Sequence, residues 1–168
     1  MEPEYFSLTN PPLSNTLLAI NENIINERYF NLLDKPNTFE LINNFVTSIS
    51  EEAEELSDYI EEAAYQKLYK YFAANRLSSG AKKPINKIQE SYNRFLKFIR
   101  STKQSIKDIV RSLKQNILLY QKVSTTSKST FIQNNLLKIT KENQQLSLLD
   151  SLVYKLATLH HFKQQYAT

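Results

Sequence analysis

Glycine is nearly missing from this chain: Gly80 stands alone in 168 residues. Turns that require positive φ are built mainly on glycine, asparagine or aspartate, so a β-rich or doubly wound α/β fold has few pivots to use. Proline is confined to Pro3, Pro11, Pro12, Pro36 and Pro84. The stretches from Pro36 to Pro84 and from Pro84 to the C-terminus are therefore free of helix breakers. Cysteine is absent, which excludes disulfides and thiolate metal sites. No apolar run approaches the ~18 residues of a membrane span. The acidic opening Met1-Glu2-Pro3-Glu4-Tyr5 lacks the apolar core of a signal peptide. These absences point to a cytoplasmic protein. With a single glycine there is neither a phosphate-cradling loop nor a serine flanked by glycines as in a nucleophile elbow.

What remains is rich in leucine, isoleucine, lysine, glutamate, glutamine and asparagine, and it repeats with helical spacing. Residues 1–13 hold three of the prolines and read as an extended N-terminal arm. Ser14 or Asn15 can cap a short helix from Thr16, with Leu17, Ile20 and Ile24 on one edge and Leu18, Ile25, Tyr29 and Leu32 on the other. It should end near Leu33, before Asp34-Lys35-Pro36. Asn37 with Glu40 resembles a capping box. From there Phe39, Ile42, Val46, Ile49, Ala53, Leu56, Ile60 and Ala63 alternate spacings of three and four, the seam of a heptad helix. The pattern then shifts to Ala64, Leu68, Tyr71 and Phe72, as a stutter produces, and Gly80 suits a C-terminal stop.

After Pro84 the seam Ile88, Tyr92, Phe95, Ile99, Thr102, Ile106, Ile109, Leu113, Asn116, Tyr120 and Val123 runs on without a slip. Ser124-Thr125-Thr126-Ser127 ends that helix. The last one uses Ile132, Leu136, Ile139, Asn143, Leu146, Leu149, Val153 and Leu156, with a second edge of Leu148, Leu152, Leu159, Phe162 and Tyr166. Helices are expected over 38–77, 85–122 and 129–165. Ser48-x-x-Glu51 and Ser101-x-x-Gln104 match internal capping boxes, but the seam crosses both without a change of phase, which favours unbroken helices. The fold class is therefore all-α. Residues 14–168 should form one elongated antiparallel helical bundle, three long helices and a shorter N-terminal one, with coiled-coil-like packing.

Charge is unevenly spread. Residues 1–62 carry thirteen acids against Arg28 and Lys35, a net of −11, whereas residues 82–128 carry twelve bases against Glu90 and Asp108, a net of +10. One flank of the second long helix collects Arg100, Lys103, Lys107, Arg111 and Lys114, a row able to track phosphates. In a hairpin around residues 79–83, positions whose numbers sum to about 161 face each other. The acidic run from Glu51 to Glu62 then lies beside residues 99–110 and neutralises the row, as flanking charges do in coiled coils. Lys82, Lys83 and Lys87 lie beyond that run and are the better candidates for an external anion.

Other candidate chemistry is thin. His160 and His161 are adjacent, about 100° apart on a helix, whereas helical metal ligands need i, i+4 spacing. The glutamates around Ala53 lack the Glu-x-x-His motifs of di-iron bundles and fall on outer faces. No cofactor and no catalytic residue is expected. Tyr65, Tyr69 and Phe72, with Phe162 and Tyr166, are candidate anchors for a partner. They serve equally well to close the end of a bundle with their hydroxyls in water. The expected function is a non-enzymatic interaction or assembly module whose partner is another helical protein or a second copy of this chain, the homodimer being favoured. The alternative is a nucleic-acid-associated protein that uses the basic flank of residues 82–128.

Overall fold

The computed structural model of the chain describes Phe6 and residues 38–77, 85–123 and 148–166. Among these residues there are three helices and no strand: α1 (Thr38–Leu77), α2 (Ile85–Val123) and α3 (Leu148–Tyr166). The expected N-terminal helix lies outside the described residues. So do the turn at Gly80, Lys82 and Lys83, and residues 129–147 of the expected last helix with Ile139 and Leu146. No helix among the described residues is long and apolar enough to cross a membrane.

α1 has 40 residues and at 1.5 Å per residue is ~60 Å long. It carries Glu40 in its first turn, where a carboxylate complements the positive end of the helix dipole. α1 runs through Ser48 and α2 through Ser101 without interruption, and both serines face water. A capping serine must leave helical geometry to bond its own downstream amides, and doing so here would tear the buried stripe that continues on either side.

Each helix contacts the other two. Arg100 meets Glu61 and Lys107 meets Glu54, so α1 and α2 run in opposite directions with partner numbers that sum to 161. His160 meets Glu52, and Lys67 lies near the Tyr166 ring, so α3 runs in the direction of α1. Phe162 packs edge-on against Phe95 and Phe98 at 5.5 and 5.7 Å between ring centres, which ties α3 to α2.

An apolar cluster joins all three helices, with Ile42, Val46, Ile49, Leu56 and Ile60 from α1, Phe95, Ile99, Ile106 and Leu113 from α2, and Val153 and Leu156 from α3. Each such side chain contributes about 1.5–3 kcal/mol when fully enclosed. On α1 Ala63 is only partly buried and Ala64 is enclosed, at the point where the sequence pattern shifts. On α2 Ile109 departs from its expected core place: it is only partly buried, and Val110 takes the enclosed one. The seam positions Phe39, Tyr92 and Asn116 are also only partly buried. The buried residues recur eighteen apart: Ile42 and Ile60, Val46 and Ala64, Ile88 and Ile106, Phe95 and Leu113, Ile99 and Ile117. Eighteen residues are five turns of an α-helix at 3.6 per turn. A seven-residue repeat drifts by ~20° per heptad on such a helix, and the enclosed stripe therefore steps forward by one residue near Ile60 and again near Ile106.

Two of the three buried polar side chains among the described residues satisfy themselves locally. Thr102 is buried and donates to the Phe98 carbonyl at 3.0 Å, and Thr158 does the same to Tyr154 at 3.0 Å. Such bonds to the preceding turn let a hydroxyl sit inside without a distant partner.

Candidate functional site

The α1–α2 seam explains which charges pair. Glu54 follows the buried Ala53 and Glu61 follows the buried Ile60; Arg100 follows Ile99 and Lys107 follows Ile106. A residue directly after a seam position sits on one flank of its helix, and on both helices that flank turns toward the other. Arg100 Nε donates to Glu61 Oε1 at 2.6 Å. Lys107 Nζ lies 2.5 Å from Glu54 Oε2, and Lys103 Nζ lies 3.7 Å from Glu54 Oε1. The hydrogen bond from Lys107 and the charge of Lys103 hold the Glu54 carboxyl below the usual carboxylate range. Arg111 and Lys114 continue the row, but the pairing register sets them opposite Ser50 and Thr47, and Arg111 instead sits 3.7 Å from Asp108 on its own helix.

The other flank of α1 meets α3. His160 Nε2 is 2.8 Å from Glu52 Oε1, both half-buried; with Glu52 ionised the ring nitrogen is the donor. The Gln165 amide donates to His161 Nε2 at 3.2 Å. The two histidines thus engage different partners. Among the described residues no group of three or more histidine, aspartate or glutamate side chains is placed to hold a metal ion.

The remaining acids of α1 form an outer ridge. Glu51, Glu55, Asp58, Glu62, Tyr65 and Tyr69 alternate spacings of four and three on the face opposite the buried stripe, and all six are exposed. Tyr65 is 51% and Tyr69 60% exposed. Glu62 accepts a hydrogen bond from Gln66 at 3.0 Å within the helix. The inter-helix ion pairs of the basic row go to Glu54 and Glu61, and among the described residues no cation pairs with the ridge acids.

The other sequence candidates divide by burial. Phe162 is 1% exposed and belongs to the core, not to the surface. Phe72 and Tyr166 are partly buried and pack against the core. Burial, and secondarily Tyr71, pushes the Tyr166 hydroxyl up to about 12. Lys87 is exposed near the start of α2. Arg94 and Lys97 are exposed farther along it.

A further cluster has no counterpart in the sequence reading. Phe6, far from the helices in sequence, is enclosed where they converge. Its ring lies 6.2 Å from Tyr71, 5.5 Å from Tyr92 and 6.0 Å from Phe95. Lys67 Nζ sits 5.3, 5.9 and 5.6 Å from the ring centres of Phe6, Tyr71 and Tyr166. Burial lowers the Lys67 pKa, while the ring faces favour its charge. The only hint in the sequence is the pair Tyr5-Phe6 between prolines in an arm that otherwise has little to bury.

No protein-family model, curated protein or solved structure matches the chain.

Proposed function

We propose that this chain is a non-enzymatic helical interaction module: an elongated antiparallel bundle that docks a basic helical segment along the outer ridge of α1. The observation that carries this reading is the ridge itself. Four acids and two exposed tyrosines follow one straight three-four line, while the cations best placed to neutralise them are engaged by Glu54 and Glu61. A helix with lysines or arginines at matching spacing places its charges against the acids and its apolar side chains on the tyrosine rings, an anchor type favoured at interfaces. A second copy of this chain is one source of such a helix, because Arg94 and Lys97 are exposed on α2 and make no ion pair among the described residues.

The test uses the full chain with Glu55→Lys, Asp58→Lys, Glu62→Lys, Tyr65→Ala and Tyr69→Ala together. Sedimentation reports self-association, and a labelled amphipathic peptide with lysines at helical spacing reports capture of a foreign helix. The parent should show one or both, and the variant neither, with unchanged circular dichroism. Association that survives the five changes removes the ridge from the reading. For nucleic acid, the engaged basic row leads us to expect little binding at physiological ionic strength. A tight complex with mixed-sequence DNA that weakens steeply with salt would replace this reading with the nucleic-acid one.

A further inference from the structure

Phe6 is held as a ligand is held, in a seat that α1 and α2 build. Lys67 and Tyr71 come from α1, and Ser91, Tyr92 and Phe95 from α2; the Tyr166 ring of α3 lies behind them, against Lys67 and Phe95. The contact has an apolar part and a polar part. The ring is 3% exposed and is met by aromatic side chains from two helices. The main chain is met as well, because Ser91 Oγ donates to the Phe6 carbonyl at 3.4 Å. Over the ring stands the Lys67 ammonium, 5.3 Å from its centre, a geometry in which the negative face of the ring attracts the cation. An aromatic socket with a cation above it and a hydroxyl for a backbone carbonyl can hold a phenylalanine by both its ring and its main chain.

We infer that this seat is a peptide-binding site for a phenylalanine, and that the chain's own Phe6 fills it as an intramolecular ligand. Residues 7–37 separate Phe6 from α1, so the occupant belongs to none of the elements that build the seat. The seat is apart from the acidic ridge, whose failure as a docking surface leaves this inference untouched. A ligand on the same chain outcompetes a free one through its effective concentration. The seat therefore becomes available to a peptide in trans when the internal ligand is weakened.

The experiment compares the full-length parent with full-length Phe6→Ala. The probe is a fluorescent peptide that carries residues 1–12 of this sequence. Phe6→Ala should bind the probe at least about tenfold more tightly than the parent, whose seat is already filled. A probe with its own phenylalanine replaced by alanine should not bind, and one with its tyrosine replaced should. Adding Lys67→Met to Phe6→Ala should weaken capture several-fold, because the cation over the ring is gone. Phe6→Leu is the second variant: it keeps an apolar filler, loses the ring, and should release the seat to excess probe. Equal binding by parent and variants, or no binding by folded variants, overturns the inference. Loss of the fold in both Phe6→Ala and Phe6→Leu also overturns it, since Phe6 is then core and not ligand. A parent dimer that Phe6→Ala abolishes overturns the intramolecular occupant in favour of a second copy's arm.

Discussion

Ser57 is fully enclosed on α1, one turn from both Glu54 and Glu61, and its hydroxyl has no hydrogen-bond partner among the described residues. The buried threonines escape this cost by bonding to the turn before them, whereas Ser57 keeps the desolvation penalty of an unmade bond. Ser57→Ala should raise the urea midpoint and stabilise the protein by about 1 kcal/mol, helped by alanine's helix propensity; a fall in the midpoint would mean that the hydroxyl has a partner. Glu54 behaves in the opposite sense. Its pKa is lowered on folding by Lys107 and Lys103, so its contribution is fully present above the unfolded glutamate value and is lost as pH falls through the folded one. The side chain is 43% exposed, which limits the contribution to about 0–1 kcal/mol. Glu54→Gln should therefore be slightly less stable than the parent near neutrality, and the gap measured by urea titration should close as pH drops through and below the carboxylate range. A gap that widens in acid would contradict the assignment. The sequence favours a meeting of acids and bases in this register and points to Glu51, Glu55 or Glu62 as the acids, but the ion pairs form at Glu54 and Glu61 instead. Glu51, Glu55 and Glu62 lie in the same run, and only the direction of the flank after each seam residue separates the two sets.

At the scale of the element, the bounds of α1 and nearly those of α2 were legible because Pro36, Gly80 and Pro84 leave no ambiguity about where a helix can run. The face each helix buries was legible only in part. A strict seven-residue seam places Ile109 inside, but the enclosed stripe follows the 3.6-residue turn and encloses Val110. The difference is measurable. Ile106 is fully buried, and Ile106→Ala should cost about 2–5 kcal/mol. Ile109 is partly buried against the core, so Ile109→Ala leaves a smaller cavity and should cost clearly less. Equal costs in chemical denaturation would restore the heptad seam. The seat of Phe6 was illegible for a different reason. Periodicity finds residues that share a face of one helix, and nothing in it joins Phe6 to a lysine and three rings drawn from two helices.

For the whole molecule, the split between a net of −11 in residues 1–62 and +10 in residues 82–128 is partly cancelled by the fold. Antiparallel pairing sets part of the acidic run beside part of the basic row and leaves an acidic ridge on one side. Each exposed pair is worth only about 0–1 kcal/mol, so the cancellation acts on register and surface potential more than on stability. Reversal makes it visible. Arg100→Glu with Lys107→Glu sets new carboxylates against Glu61 and Glu54, at contacts now 2.6 and 2.5 Å long, and like charges this close repel on both turns at once. The double variant should unfold at lower urea than the parent, and the deficit should shrink as salt is added, because screening weakens exposed charges. Adding Glu54→Lys and Glu61→Lys should recover much of the loss by restoring opposite signs in the same register. The same reversals in Glu51 and Glu55 should not recover it, since those side chains face outward. If they rescue as well as Glu54→Lys and Glu61→Lys do, the effect is one of net charge and the pairing register is wrong. If neither set rescues, the row on α2 is not held by α1, and the basic flank returns as a surface free to bind a polyanion.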